Sequence, residues 1–231
     1  VCPKCNSSYL TSMGTGIEKL ESDLSRTLPH ARIERYDKET AALPQNFDVL
    51  IATQAVFRVA DKLRISMVGV LRFDSELSHM DFRCAQRAFS LLVHLRQMAS
   101  EKILVQTKLP DNYSLKAALK MDFNAFYKDE LKLRRELGFP PFRHLMAVGL
   151  RGMKEEDVFA AAGKLCTVLT EVAPKSIEVT DPHPDVIKKL RDKYRFTILL
   201  KGKSTEGMLT VIKRALKFSG KTKHVIITVA V

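Results

Sequence analysis

The sequence predicts two folded parts of different class: an α/β unit with a parallel sheet and, beyond a helical connector, an α+β unit of split-βαβ plan. Three observations carry this. Up to Pro110, compact apolar runs alternate with stretches whose apolar residues recur at helical spacing, the pattern of strands joined by crossover helices. Residues 111–137 are helical in pattern and densely charged, and Gly138 with Pro140-Pro141 stops them. From Phe142 the runs read strand, helix, strand, strand, helix, strand, which is βαββαβ.

The elements follow in order. Gly14-Thr15-Gly16 leads into an amphipathic helix carrying Ile17, Leu20, Leu24 and Leu28, ended by Pro29. Ala31, Ile33 and Arg35 alternate as a short strand. The runs 47–53, 67–71 and 103–107 are apolar enough for buried parallel strands, and residues 82–99 have helical spacing through Phe82, Ala85, Phe89, Leu92 and Leu95. Asp122 to Leu137 continues the connector helix. In the last part we expect strands at 143–150, 176–180, 194–201 and 223–230, with helices at 154–172 and 204–218 and a loop between the second and third strands. Ser204 is the expected N-cap of the last helix and Gly220 its stop. The expected parts are thus 1–9, 10–109, 110–141 and 142–231.

Hydrophobic residues make up 45% and charged residues 28% of 231, so a folded soluble chain is expected. No apolar run is long enough to span a bilayer, and no membrane partner is expected. The chain opens at Val1-Cys2 without an initiator Met, so it is expected to be a piece of a longer protein. Its formal charge is +12, concentrated at one end: residues 186–231 hold 12 Lys and Arg against two Asp and Glu. Such a concentration attracts phosphate backbones and releases their counterions; a basic surface kept for solubility is the plainer reading.

Two sets of residues invite chemistry. Cys2 and Cys5 have the spacing of half a structural zinc site, which needs four ligands; free thiols, a disulfide or a redox pair are the alternatives. His30, His79 and His94 are too irregularly placed to complete the set. Cys84 and Cys166 lie in apolar helical patterns and read as reduced, buried thiols, as in the cytoplasm. In the run Lys188-Lys189-Leu190-Arg191-Asp192-Lys193-Tyr194-Arg195-Phe196, basic side chains interleaved with aromatics can pair phosphates and stack on a base. In a strand Arg195 and Thr197 share one face and Tyr194 and Phe196 the other, so the aromatics also fit a core. Phe196 is expected there, with Tyr194 open. Asp74 and Glu76 are expected to be a solvated loop, since nothing beside them supports acid–base work.

Several stretches, in order, resemble the primosomal protein N′ family of replication-restart helicases. Cys2-Pro3-Lys4-Cys5-Asn6-Ser7 resembles the last knuckle of the family's zinc-binding insertion. Gly14 to Glu21 resembles its G-x-G-T-E-x-x-E segment, and Asp48-Val49-Leu50-Ile51-Ala52-Thr53-Gln54 its DILIGTQ. Asp81 to Arg87 resembles DFRAAER, Arg134 to Phe142 RRELGYPPF, and Lys189 to Phe196 K-x-R-G-R-Y-R-W. The resemblance implies that residues 10–109 form a RecA-like second helicase lobe of the P-loop class. It implies that Thr53 and Gln54 stand where a motif couples nucleic acid to nucleotide; a polar strand end is the plainer reading.

The departures bear on activity. The family's QxxGRAGR motif is replaced by His94 to Ser100, where Arg96 is the remaining arginine, out of register. Losing an arginine that meets the transferring phosphoryl group costs about 10³–10⁵ in rate. Arg58-Val59 replaces a lysine-glycine pair after the Gln54 position, a helix between Thr40 and Gln45 is missing, and no GxxxxGK[ST] loop occurs. The lobe is therefore read as degenerate, with Thr53, Gln54 and Arg58 as its motif remnant, no catalytic residue, and no productive ATP binding.

The function expected is DNA binding, to forked or single-stranded DNA, through Lys188, Lys189, Arg191, Lys193, Tyr194 and Arg195. The resemblance implies single-stranded DNA-binding protein and primosome proteins as further partners; a monomer is expected. The alternatives are half of an active ATP-dependent 3′–5′ DNA helicase lacking its first lobe, and an RNA-binding or protein-interaction module.

Overall fold

The computed structural model describes residues 16–40, 42–78, 81–219 and 225–230. The chain divides into two compact units, Val1–Met67 with Met98–Glu101, and Val68–Gln97 with Lys102–Val231.

The first unit begins with helix α1 (Ile17–Thr27), followed by strands β1 (Ile33–Tyr36) and β2 (Val49–Ala52). These strands pair in parallel, Ile33 opposite Val49 through Tyr36 opposite Ala52. Arg32 and Asp48 fix the entry to both. Arg32 Nε and Nη2 donate to the Asp48 carboxylate at 3.0 and 2.9 Å, and the Arg32 backbone N–H adds a third bond at 2.8 Å. A 3₁₀ stretch, Gln54–Lys62, leaves β2 and packs Ala55 and Val56 with Tyr36 and Leu63 into a small core.

Strands β3 (Ile65–Val70) and β4 (Ala99–Val105) pair with each other, with α2 (Asp74–Leu77) and α3 (Cys84–Met98) between them in sequence. This departs from the expected continuous parallel sheet: the strands before Pro110 form two separate pairs, of which β1–β2 is parallel. Nor are all of them buried, since Met67, Leu71 and Leu104 are about half exposed. An apolar run specifies a tendency to bury; it does not specify which strand lies beside it.

In the second unit, the apolar stripe of α3 (Ala88, Phe89, Leu92, Val93) packs against α4 (Tyr113–Leu119) and α5 (Phe123–Glu136). Phe89 and Phe126 stack at 4.0 Å between centroids. The connector is two helices, where the sequence suggested continuous helix: Met121 adopts φ 55° between them, and Asp122 caps the second by accepting from Ala125 N–H at 2.9 Å. At the end of α5, Phe139 N–H donates to Arg134 C=O and Gly138 N–H to Arg135 C=O. That is the Schellman pattern, with Gly138 at φ 63° in the left-handed position.

The remaining elements are β5 (His144–Gly152), α6 (Glu155–Val172), β6 (Glu178–Val179), β7 (His183–Leu190), β8 (Lys193–Gly202), α7 (Thr205–Ser219) and β9 (Val225–Ala230). The sheet order is β6-β8-β5-β9, with β7 also on β8. Pairing is antiparallel throughout. Since β6 and β7 share one edge of β8, they act as one interrupted strand, and the order is that of a split βαβ fold. Met146, Val148, Leu150, Phe196, Ile198 and Leu200 face α6 and α7 in the core. Ser204 caps α7 as expected, its hydroxyl accepting from Gly207 N–H at 3.2 Å.

The loop expected between the second and third strands is largely strand β7, which turns into β8 through Arg191 and Asp192 at φ 50° and 59°. Two consecutive left-handed residues make the mirror-image turn that matches sheet twist. The usual Asn-Gly signal for it is absent from the sequence, so the hairpin was hidden.

Candidate nucleic-acid interface

The basic run singled out in the sequence occupies the β7–β8 hairpin, and the pleat divides it between two faces. Lys189 lies opposite Tyr194, with its Nζ 5.0 Å from the ring centroid. Tyr194 packs at the margin of the core on the helix-covered side, and Phe196 is buried beside Phe159. Lys193 and Arg195 fall on the opposite, uncovered face, and Arg191 stands at the tip. Lys188 lies in a bulge where β7 and β8 slip register between Pro184 and Lys189. It pairs with Glu155 at the start of α6 at 2.7 Å; that hydrogen bond and charge raise the Lys188 pKa. Lys188 is therefore committed to a carboxylate. Lys189 has only a long approach to Asp192, 3.9 Å, and Arg195 the same to Asp185.

The uncovered face holds a residue that sequence reasoning missed. Arg151, on β5, is directly opposite Arg195. Each has a buried Nε with no hydrogen-bond partner. A strand-register prediction pairing β5 with β8 was the one signal able to find it.

The other sequence-nominated residues lie in the first unit. Thr53 follows β2, and its hydroxyl accepts from Ala55 N–H at 3.3 Å. Thr53 and Gln54 line a cleft of about 530 Å³ with Ile17, Ala55 and residues 37–39, at the carboxyl ends of the parallel pair, where α/β ligands gather. Within it Asp37 accepts from Glu39 N–H, Thr40 N–H and the Thr40 hydroxyl. These bonds, that from Glu39 first, lower its pKa. Arg58 is exposed and does not line the cleft. Cys2 and Cys5 lie outside the described residues; among the described residues no group of three or more His, Cys, Asp or Glu is placed to hold a metal ion.

Asp74 departs from the solvated loop expected of it. Its carboxylate accepts from the Thr107 hydroxyl and from Lys108 N–H at 2.8 Å, with its pKa lowered by those bonds. It ties the exit of β4 to the start of α2, a structural use of the carboxylate.

An antiparallel split-βαβ sheet with helices on one face and a basic hairpin at one edge is an α+β domain with an open sheet face. Residues 135–231 match the model of the primosomal protein N C-terminal domain. The whole chain is similar to replication restart protein PriA of Bacillus subtilis, 29% identical over 99% of this chain and 31% of that protein. The corresponding protein of Synechocystis is 28% identical over 93% of this chain and 28% of its own length. That of Thermotoga maritima is 29% identical over 95% and 31%. The chain thus spans about a third of the length of these relatives. No helix among the described residues is long and apolar enough to cross a membrane.

Proposed function

We propose that this chain is a DNA-binding portion of a replication-restart protein, engaging forked or single-stranded DNA through the β7–β8 hairpin. The observation that carries the reading is the placement of Lys189, Arg191, Lys193 and Arg195 on one hairpin without close carboxylate partners among the described residues, the nearest being 3.9 Å away. In the surrounding stretch 12 basic residues face two acidic ones. Cations not neutralised internally are available to phosphates, and their binding energy comes from displaced counterions. Residues 10–109 serve as a degenerate RecA-like lobe, and the Thr53–Gln54 cleft as what remains of its motif edge, without ATP turnover by this chain alone.

Cys2 and Cys5 supply two of the four ligands of a structural zinc site; the described residues offer no cluster to complete it. Single-stranded DNA-binding protein and primosome proteins are the proposed partners, in the cytoplasm, with the chain a monomer.

The test is fluorescence anisotropy with forked, single-stranded and duplex DNA across a salt series. Binding that prefers forks or single strands and weakens steeply with salt is expected. Substituting Lys189, Arg191 and Arg195 together by Ala should weaken binding and flatten the salt dependence. An unchanged affinity and slope in that variant would remove the hairpin from the interface.

A further inference from the structure

We infer that Arg151 and Arg195 form a phosphodiester-binding clamp on the open face of the sheet, so that a single DNA strand passes from the hairpin onto that face. The inference rests on the DNA-binding reading above and adds a site to it. In the antiparallel β5–β8 register the two arginines are directly opposite, on the face away from α6 and α7, since their neighbours Leu150 and Phe196 are buried beneath those helices. Like charges placed opposite one another on a sheet are unfavourable. Here the cost is compounded, because the Nε of each guanidinium is buried and lacks a hydrogen-bond partner. A buried donor without a partner in the protein calls for an explanation, of which a bound ion is one. Arg151 has no ion pair among the described residues, and Arg195 reaches Asp185 only at 3.9 Å. An anion between the two would neutralise both charges. Guanidinium groups present forked donors suited to a phosphate.

The surroundings favour a nucleic-acid strand over a small ion or an acidic peptide. The next cross-strand pair is Gly149 with Thr197, and Thr228 lies beside Gly149 on β9. A Cβ at Gly149 would stand 2.9 Å from the Thr228 hydroxyl, which fills the space above that glycine. Farther along, Lys201 donates to Leu137 C=O at 3.4 Å and lies 5.1 Å from the Phe139 ring centroid. That end of the face is covered. The accessible end is the one that meets the basic hairpin, which gives the strand a continuous charged approach. Two guanidinium groups one strand spacing apart suit a single phosphate.

The experiment compares the 231-residue chain with Arg151→Met, Arg151→Lys and a Lys189→Ala/Arg191→Ala hairpin variant. It measures anisotropy of a labelled oligodeoxythymidine across a salt series, and the thermal midpoint without DNA. Arg151→Met should weaken binding about tenfold at low salt and lower the log–log salt slope by about one. Its DNA-free midpoint should stay level or rise, because a strained pair is relieved. Arg151→Lys, which keeps charge but not the fork, should fall between and serves if the Met variant fails to fold. Unchanged affinity and slope for both Arg151 variants, with binding lost in the hairpin variant, would overturn the clamp and leave the hairpin reading standing. A wild-type chain that does not bind DNA would remove both. Competition by polyglutamate at charge equivalence equal to that by the oligonucleotide would also overturn the clamp, by assigning the face to an acidic peptide.

Discussion

Arg134 ties α5 to α3 and to the segment that follows α5. Its Nε donates to Glu130 at 2.6 Å, its two Nη groups to Pro140 C=O and Gln86 Oε1 at 3.2 and 3.0 Å, and its plane covers Phe82. Glu130 is 5% exposed and also accepts from the Tyr113 hydroxyl; burial first, then that bond, pushes the Tyr113 pKa up. Removing one member of a buried pair strands the other charge. Arg134→Met should cost about 3–5 kcal/mol in urea unfolding, and adding Glu130→Met should recover part of the loss. Asp48 is the contrasting exposed case. The Arg32 guanidinium, then the Arg32 N–H, hold its carboxyl well below the usual carboxylate range. A depressed folded pKa contributes stability at pH values above the unfolded one, about 3.9, and loses it as pH falls toward the folded value. The thermal-midpoint gap between wild type and Asp48→Asn should therefore be constant near neutrality and shrink below about pH 4. A gap independent of pH would assign the loss to geometry instead of charge.

Among the elements, the hairpin and the end of α5 depend on left-handed residues, one of them a glycine and two not. Gly138 suits its φ of 63°, and a Cβ there would stand 3.3 Å from Arg143 Cδ. Gly138→Ala should cost about 1 kcal/mol in the same unfolding assay. Asp192 has φ 59° where the resembling motif has glycine. Asp192→Gly should match or exceed wild-type stability, while Asp192→Val should lower it by about 1–2 kcal/mol. Equal midpoints for the two variants would show that the turn is not left-handed in solution. The α5 stop was legible because Gly138 precedes Pro140-Pro141, a local signal. The β7–β8 turn was not, because Arg191-Asp192 carries no such signal and is bent by the strands it joins.

At the scale of the whole molecule, a sequence without a GxxxxGK[ST] loop leads to one further expectation. Purified chain with single-stranded DNA should release no phosphate from ATP above blank, and turnover above blank would show a working nucleotide site. The sequence by itself determined the helices and the strands other than β7 from Phe142 onward, the two helix ends at Ser204 and Gly138, the basic end of the chain and the family resemblance. Each of these is written in local periodicity, capping chemistry or composition. Tertiary structure alone decided that the strands before Pro110 pair as two separate couples, that Asp74 braces Thr107, that the pleat sends Lys189 and Arg195 to opposite faces, and that Arg151 meets Arg195 from 44 positions away. These are matters of register and of long-range pairing. A strand's own residues state which side is apolar, and only its neighbour states what each side chain will face.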